Sequence, residues 1–113
     1  MTREFVILPE FQRKWEEIGF GDSDLSELEY QLCLNPELGD MMRGTGGLRK
    51  VRFALEGRGK SGSVRVAYVD FASYKKIYLI TAFTKSEKDN LTATERNMIK
   101  LMIEQLKREL RRR

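Results

Sequence analysis

The stretch from Arg43 to Arg65, RGTGGLRKVRFALEGRGKSGSVR, decides how this 113-residue chain folds. Three glycines between Arg43 and Leu48 allow the backbone a sharp reversal. From Leu48 the period becomes two. Val51, Phe53 and Leu55 alternate with Lys50, Arg52 and Ala54, which predicts a strand with one apolar and one cationic face. After the loop EGRGKSGS a second strand sets Val64, Val66 and Tyr68 against Arg65 and Ala67, so the pair reads as an antiparallel hairpin. Parity then brings Lys50, Arg52 and Arg65 to one side of it.

Charge is distributed as unevenly as hydrophobicity. The hairpin stretch carries Arg43, Arg49, Lys50, Arg52, Arg58, Lys60 and Arg65 against Glu56 alone, whereas residues 1–42 hold ten carboxylates against Arg3, Arg13 and Lys14. The formal net charge of +4 conceals a basic face that suits a polyanion. Cations crowded on one sheet face repel one another unless an anion sits among them. The competing explanation, that exposed strands carry Lys and Arg to resist edge pairing, does not account for the loop cations that extend the same patch.

Outward from the hairpin, the remaining elements follow from spacing. Phe5 to Leu8 is a short apolar run stopped by Pro9, a first strand; Phe11, Trp15 and Ile18 then mark one face of a helix ending near Gly19 and Gly21. Asp24, followed three residues later by Glu27, reads as the start of a second helix, with Leu25, Leu28 and Leu32 as its buried stripe before Asn35-Pro36. Glu16, Glu17, Glu27 and Glu29 read as its and its neighbour's solvated faces, and Leu38 to Gly47 as a loop. Ile77 to Thr84 is nearly all apolar and predicts a central strand covered on both sides, reached through a turn at Tyr74 to Lys76. Thr92 and Glu95 form a capping box opening a last helix with Ile99, Met102, Ile103, Leu106 and Leu110 on one face. Tyr68 and Tyr78 read as core or rim aromatics. The order predicts one α+β domain over residues 1–113: a small antiparallel sheet, two N-terminal helices and a C-terminal helix.

Several function classes are excluded or disfavoured by composition. Histidine is absent and Cys33 is the single cysteine, in an apolar run, so a zinc site and an internal disulfide are not expected. No apolar run approaches the roughly 18 residues of a membrane helix, and the first residues lack a signal-peptide pattern, so a cytoplasmic protein is expected. Gly59-Lys60-Ser61 superficially suggests a nucleotide-binding loop, but Ala54 stands where its first glycine is required and a strand follows instead of a helix.

Two blocks, GTGGLRKVRFALEGRGKSGSVRVAYVDF and IYLITAFTKSEKDNLTATE, resemble the RelE/ParE superfamily of bacterial toxins, in particular its HigB-like branch. The resemblance implies a RelE-like fold and a metal-independent, cofactor-free endoribonuclease that cuts messenger RNA on the ribosome through attack of a ribose 2′-OH on the adjacent phosphate. It implies catalytic roles for Lys50, Arg52, Arg65 and Lys85, with Arg52 and Arg65 on the phosphate and Lys85 or Lys50 as general base. Arg49, Arg58, Lys60 and Lys88 would grip RNA or ribosome. Ser86 and, approximately, Thr92 stand where some RelE-type members carry an arginine and a tyrosine. The implied partners are a cognate antitoxin of helix-turn-helix, HigA-like type, the ribosome and mRNA, with operator DNA reached only through the antitoxin and no membrane. The alternative is a non-catalytic module on the same fold, such as a ParE-like gyrase inhibitor or an RNA-binding regulator.

Overall fold

The computed structural model describes residues 2–54, 64–85, 87 and 90–112. Five strands and three helices follow in the order β1 (Glu4–Ile7), α1 (Pro9–Ile18), α2 (Asp22–Leu34), β2 (Asp40–Met41), β3 (Leu48–Phe53), β4 (Val64–Phe71), β5 (Lys76–Thr84) and α3 (Ala93–Arg111). They form an α+β domain around one sheet of strand order β1-β5-β4-β3-β2.

The sheet is mixed, which corrects the antiparallel expectation. β1 lies parallel to β5, Phe5 opposite Ile77 and Ile7 opposite Leu79, joined by a long crossover that contains both N-terminal helices and the other three strands. β5 is buried on both faces from Ile77 to Phe83, as its composition predicts, although β4 occupies the middle of the sheet. A register shift opposite Ala67 and Tyr68 leaves Ile80 as an extra residue in β5, a bulge that bends the strand.

Each sheet face has its own core. On one side Phe11 and Trp15 of α1 and Leu28 and Leu32 of α2 pack on Val51, Phe53, Val64, Val66, Tyr68, Ile77 and Leu79. Trp15 is the hub: its ring centroid lies 4.6 Å from Phe20, 5.2 Å from Phe11 and 5.6 Å from Phe53, and its indole N–H donates to the Gly21 carbonyl at 3.2 Å. On the other side Ile103 and Leu110 of α3 cover Leu48, Ala67, Val69, Tyr78, Ile80 and Phe83. The Thr92 and Glu95 capping box opens α3 as the sequence indicates, through reciprocal bonds of 3.1 and 2.8 Å.

α2 begins two residues earlier than Asp24 suggests. Its N-cap is Gly21, and Asp24 sits at the third helical position, where its Oδ2 accepts the Gly21 N–H at 2.8 Å. The acid is therefore the reaching half of the cap, and the helix continues to Leu34 before Asn35-Pro36.

Between α2 and β3 the chain is held by polar contacts centred on Tyr68 and Arg49. The buried Tyr68 hydroxyl donates to the Pro36 carbonyl at 2.8 Å and accepts the Gly39 N–H at 2.9 Å. The Arg49 guanidinium donates to the Gly39 carbonyl at 2.7 Å. Gly39 itself admits no side chain: a Cβ there would lie 2.9 Å from the Lys50 carbonyl oxygen. This clamp sets the two residues of β2 beside β3, Asp40 opposite Lys50 and Met41 opposite Arg49, where the sequence gives only a loop. The reversal that follows is closed by buried Thr45, whose hydroxyl donates to the Met42 carbonyl at 2.6 Å and accepts the Leu48 N–H at 3.1 Å. Gly44, Gly46 and Gly47 take positive φ there, which is why the turn needs glycine at those places.

Candidate RNA-cleavage face

β3 and β4 carry the candidate site because their alternation is strict. Val51 and Phe53 point to the α1 and α2 side, so Lys50 and Arg52 point to the α3 side. In the β3–β4 ladder Arg52 is directly opposite Arg65 and Lys50 is opposite Ala67, while Arg65 faces Phe83 across the β4–β5 ladder. Lys50, Arg52 and Arg65 therefore share one face. α3 covers only part of it: along β3 burial falls from Leu48, fully buried, through half-buried Lys50 to exposed Arg52.

Two guanidinium groups directly opposite on neighbouring strands oppose folding by about 0.2–1 kcal/mol. Arg52 has no hydrogen-bond or ion-pair partner among the described residues. Arg52 is thus exposed and open to an anion, and a phosphate there would relieve the repulsion across the ladder.

Lys50 extends the face toward α3, its Nζ donating to Asn90 Oδ1 at 3.2 Å. Beyond it Arg43 and Arg96 line a cleft of about 410 Å³ together with Lys50 and Asn90. Arg43 belongs to the basic stretch, whereas Arg96 lies on the first turn of a helix whose apolar stripe gave no hint of the sheet edge it would reach.

Lys85 follows β5 directly, two residues past Phe83, and is exposed. Its turn is fixed by Glu87, whose carboxylate accepts the Thr84 N–H at 3.1 Å and pairs with Lys14 of α1 at 3.1 Å. Those contacts, the Thr84 N–H first and Lys14 next, hold the Glu87 carboxyl below its ordinary range. The turn joins the basic face at the Arg65 end of the β4–β5 ladder.

Arg49 is not brought to this surface. Adjacent to Lys50 on a flat strand, it must point to the opposite face, where its guanidinium is bound to the Gly39 carbonyl and, at 3.5 Å, to that of Glu37. Its role is to hold the chain before β2. Arg58, Lys60 and Lys88 lie outside the described residues. Among the described residues no group of three or more His, Cys, Asp or Glu side chains is placed to hold a metal ion, and no helix is long and apolar enough to cross a membrane.

The molecule is thus a three-layer α+β domain with a patch of arginine and lysine on one face of its sheet. Residues 11–111 match the family described as the RelE toxin of the RelE/RelB toxin-antitoxin system, and the chain belongs to that family. Its fold is similar to that of the E. coli toxin RelE, solved in the free state as a mutant lacking two arginines. The TM-score is 0.57 at 13% identity, over 79% of this chain and 90% of that one. As a family member it is the toxin half of a toxin-antitoxin pair and has an antitoxin as partner.

Proposed function

We propose that this toxin is a ribosome-dependent endoribonuclease of the HigB-like branch that cleaves messenger RNA without a metal ion. The observation that carries the reading is the direct cross-strand pairing of Arg52 with Arg65, with Lys50 on the same face. In the reaction the 2′-oxygen attacks the adjacent phosphorus and the bond from phosphorus to the 5′-oxygen breaks. The products are a 2′,3′-cyclic phosphate and a free 5′-OH. The pentacoordinate transition state gathers negative charge on its equatorial oxygens, and fixed guanidinium forks stabilise it more than the ground state. Arg52 and Arg65 suit that task, because each fork matches two phosphate oxygens. Lys50, on the same face, or Lys85, just past β5, would serve as the general base that takes the 2′-OH proton. Arg58, Lys60 and Lys88 would hold RNA or ribosomal backbone. The partner antitoxin would be of the helix-turn-helix, HigA-like type, reaching operator DNA on the toxin's behalf, and the setting would be the cytoplasm.

Primer extension on cellular transcripts after brief induction tests the reading. Discrete cuts within translated regions are expected for the wild type and none for Arg65→Ala, with circular dichroism unchanged. Intact transcripts, or DNA breaks dependent on gyrase, would overturn it in favour of a ParE-like action.

A further inference from the structure

Among the described residues, one carboxylate lines the cleft beside Lys50. Asp40 lies opposite Lys50 in the β2–β3 ladder, shares its face and lines the same 410 Å³ space with Arg43, Asn90 and Arg96. Although three cations line the cleft, Asp40 forms no ion pair or side-chain hydrogen bond among the described residues. It is nevertheless held firmly. Gly39, immediately before it, has its N–H on the buried Tyr68 hydroxyl at 2.9 Å and its carbonyl on Arg49 at 2.7 Å, and packs too closely on Lys50 for any side chain. An exposed acid fixed by a buried clamp on the opposite sheet face is preorganised for a ligand.

We propose that this cleft is a nucleobase subsite in which Asp40 selects guanine in the RNA strand. The inference rests on the nuclease reading above and names the base that accompanies the scissile phosphate. Lys50 is two residues from Arg52, roughly 7 Å along the strand, a distance of the order of one nucleotide in a stretched single strand. A phosphate held at Arg52 and Arg65 therefore delivers a neighbouring base to the cleft.

Its walls suit an unstacked base. Met42, which packs on the α3 side of the sheet and lines the cleft, offers a polarisable thioether to the ring face. Arg43 and Arg96 can take the nucleotide's own phosphate. Asn90 keeps its amide N–H groups for the base, because its Oδ1 already accepts from Lys50 at 3.2 Å and from the Leu91 N–H at 2.9 Å. A carboxylate only accepts hydrogen bonds. Guanine alone presents two adjacent donors, N1–H and the exocyclic amine, to both oxygens of one carboxylate. Adenine and cytosine set a ring acceptor beside their amine, and uracil places a single donor between two acceptors, so each brings a lone pair against Asp40.

The test uses the purified full chain and its Asp40→Asn variant, titrated with guanosine and adenosine 5′-monophosphates and followed by the methyl signal of Met42. The wild type is expected to favour the guanosine nucleotide by about tenfold or more, a discrimination that the isosteric amide loses. Equal affinity for both nucleotides, or a preference that survives in Asp40→Asn, would overturn the proposal. Mapping of 5′-OH ends after induction separates it from the nuclease reading. Cuts with guanine enriched at one fixed position in the wild type and not in Asp40→Asn support both. Cuts without any guanine bias refute the subsite alone, and a guanosine preference without cuts refutes the nuclease alone.

Discussion

Replacing Tyr68 by phenylalanine removes a single oxygen from the centre of the clamp that positions β2. The ring is fully buried, so nothing enters to replace the hydroxyl, and two buried backbone groups lose their partner: the Pro36 carbonyl at 2.8 Å and the Gly39 N–H at 2.9 Å. Each stranded group costs about 1–3 kcal/mol. Arg49 still restrains the segment through the Gly39 carbonyl, so the expected total is about 2–4 kcal/mol, a fall in melting temperature of roughly 8–16 °C for a chain of this length. Thermal unfolding by circular dichroism measures the total, and hydrogen exchange at the Gly39 amide locates it. Burial also pushes the Tyr68 phenol above its ordinary value of 10.0, against the opposing pull of the Gly39 N–H and Arg49. A raised phenol contributes stability that is complete below about pH 10 and is lost as pH rises further, because the unfolded chain then releases a proton that the native state retains. Tyr68→Phe should therefore be destabilised at neutral pH yet lose less stability than the wild type above pH 10. A melting temperature within a degree or two of wild type, with Gly39 exchange unchanged, would refute the reasoning.

Two other polar contacts give separate expectations. Arg3 pairs with Asp70 through two bonds, 2.8 and 3.3 Å, and their side chains are only 9% and 10% exposed; the hydrogen bonds to Asp70 raise the Arg3 pKa further. Asp70→Ala leaves that guanidinium largely desolvated and should cost about 2–3 kcal/mol in urea unfolding, somewhat less than a fully buried pair because Arg3 also reaches Thr2 at the surface; a loss within error of zero contradicts this. Glu87, held below its ordinary carboxyl range by Thr84 and Lys14, contributes stability that is present above the unfolded value of about 4.3 and is lost as pH falls through its folded value. Urea midpoints measured from pH 7 down to pH 3 should fall less steeply for Glu87→Gln than for wild type, and parallel curves would show that the turn at Lys85 does not depend on it.

Much of this architecture is legible in the sequence wherever a periodicity runs long enough to be read. The Thr92 and Glu95 cap with the Ile99 to Leu110 stripe gives α3, and the alternation of β3 and β4 gives the shared face of Lys50, Arg52 and Arg65. The same parity assigns Arg49 to the other face. Weighing Arg49 by charge alone groups it with the RNA-binding cations, while its neighbours Lys50 and Val51 already fix its direction. β2 is two residues long and carries no periodicity, and it is specified by Tyr68, twenty-nine positions from Gly39. Asp40, Asn90 and Arg96 therefore cannot be grouped from spacing, because three separate segments meet at the cleft only after β2 pairs with β3. The parallel pairing of β1 with β5 is likewise a long-range choice, invisible in the run Phe5 to Leu8 itself.

The central claim is that Arg52 and Arg65 face each other to stabilise a phosphoryl transition state at the expense of the fold. Single-turnover cleavage of mRNA bound in the A site of purified ribosome complexes, by the wild type and by Arg52→Gln, tests it when paired with urea unfolding of both proteins. The account expects cleavage to slow by about 10²–10³-fold while stability holds or rises by about 0.2–1 kcal/mol, as a like charge opposite Arg65 is removed. Comparable cleavage rates for the two proteins would contradict it.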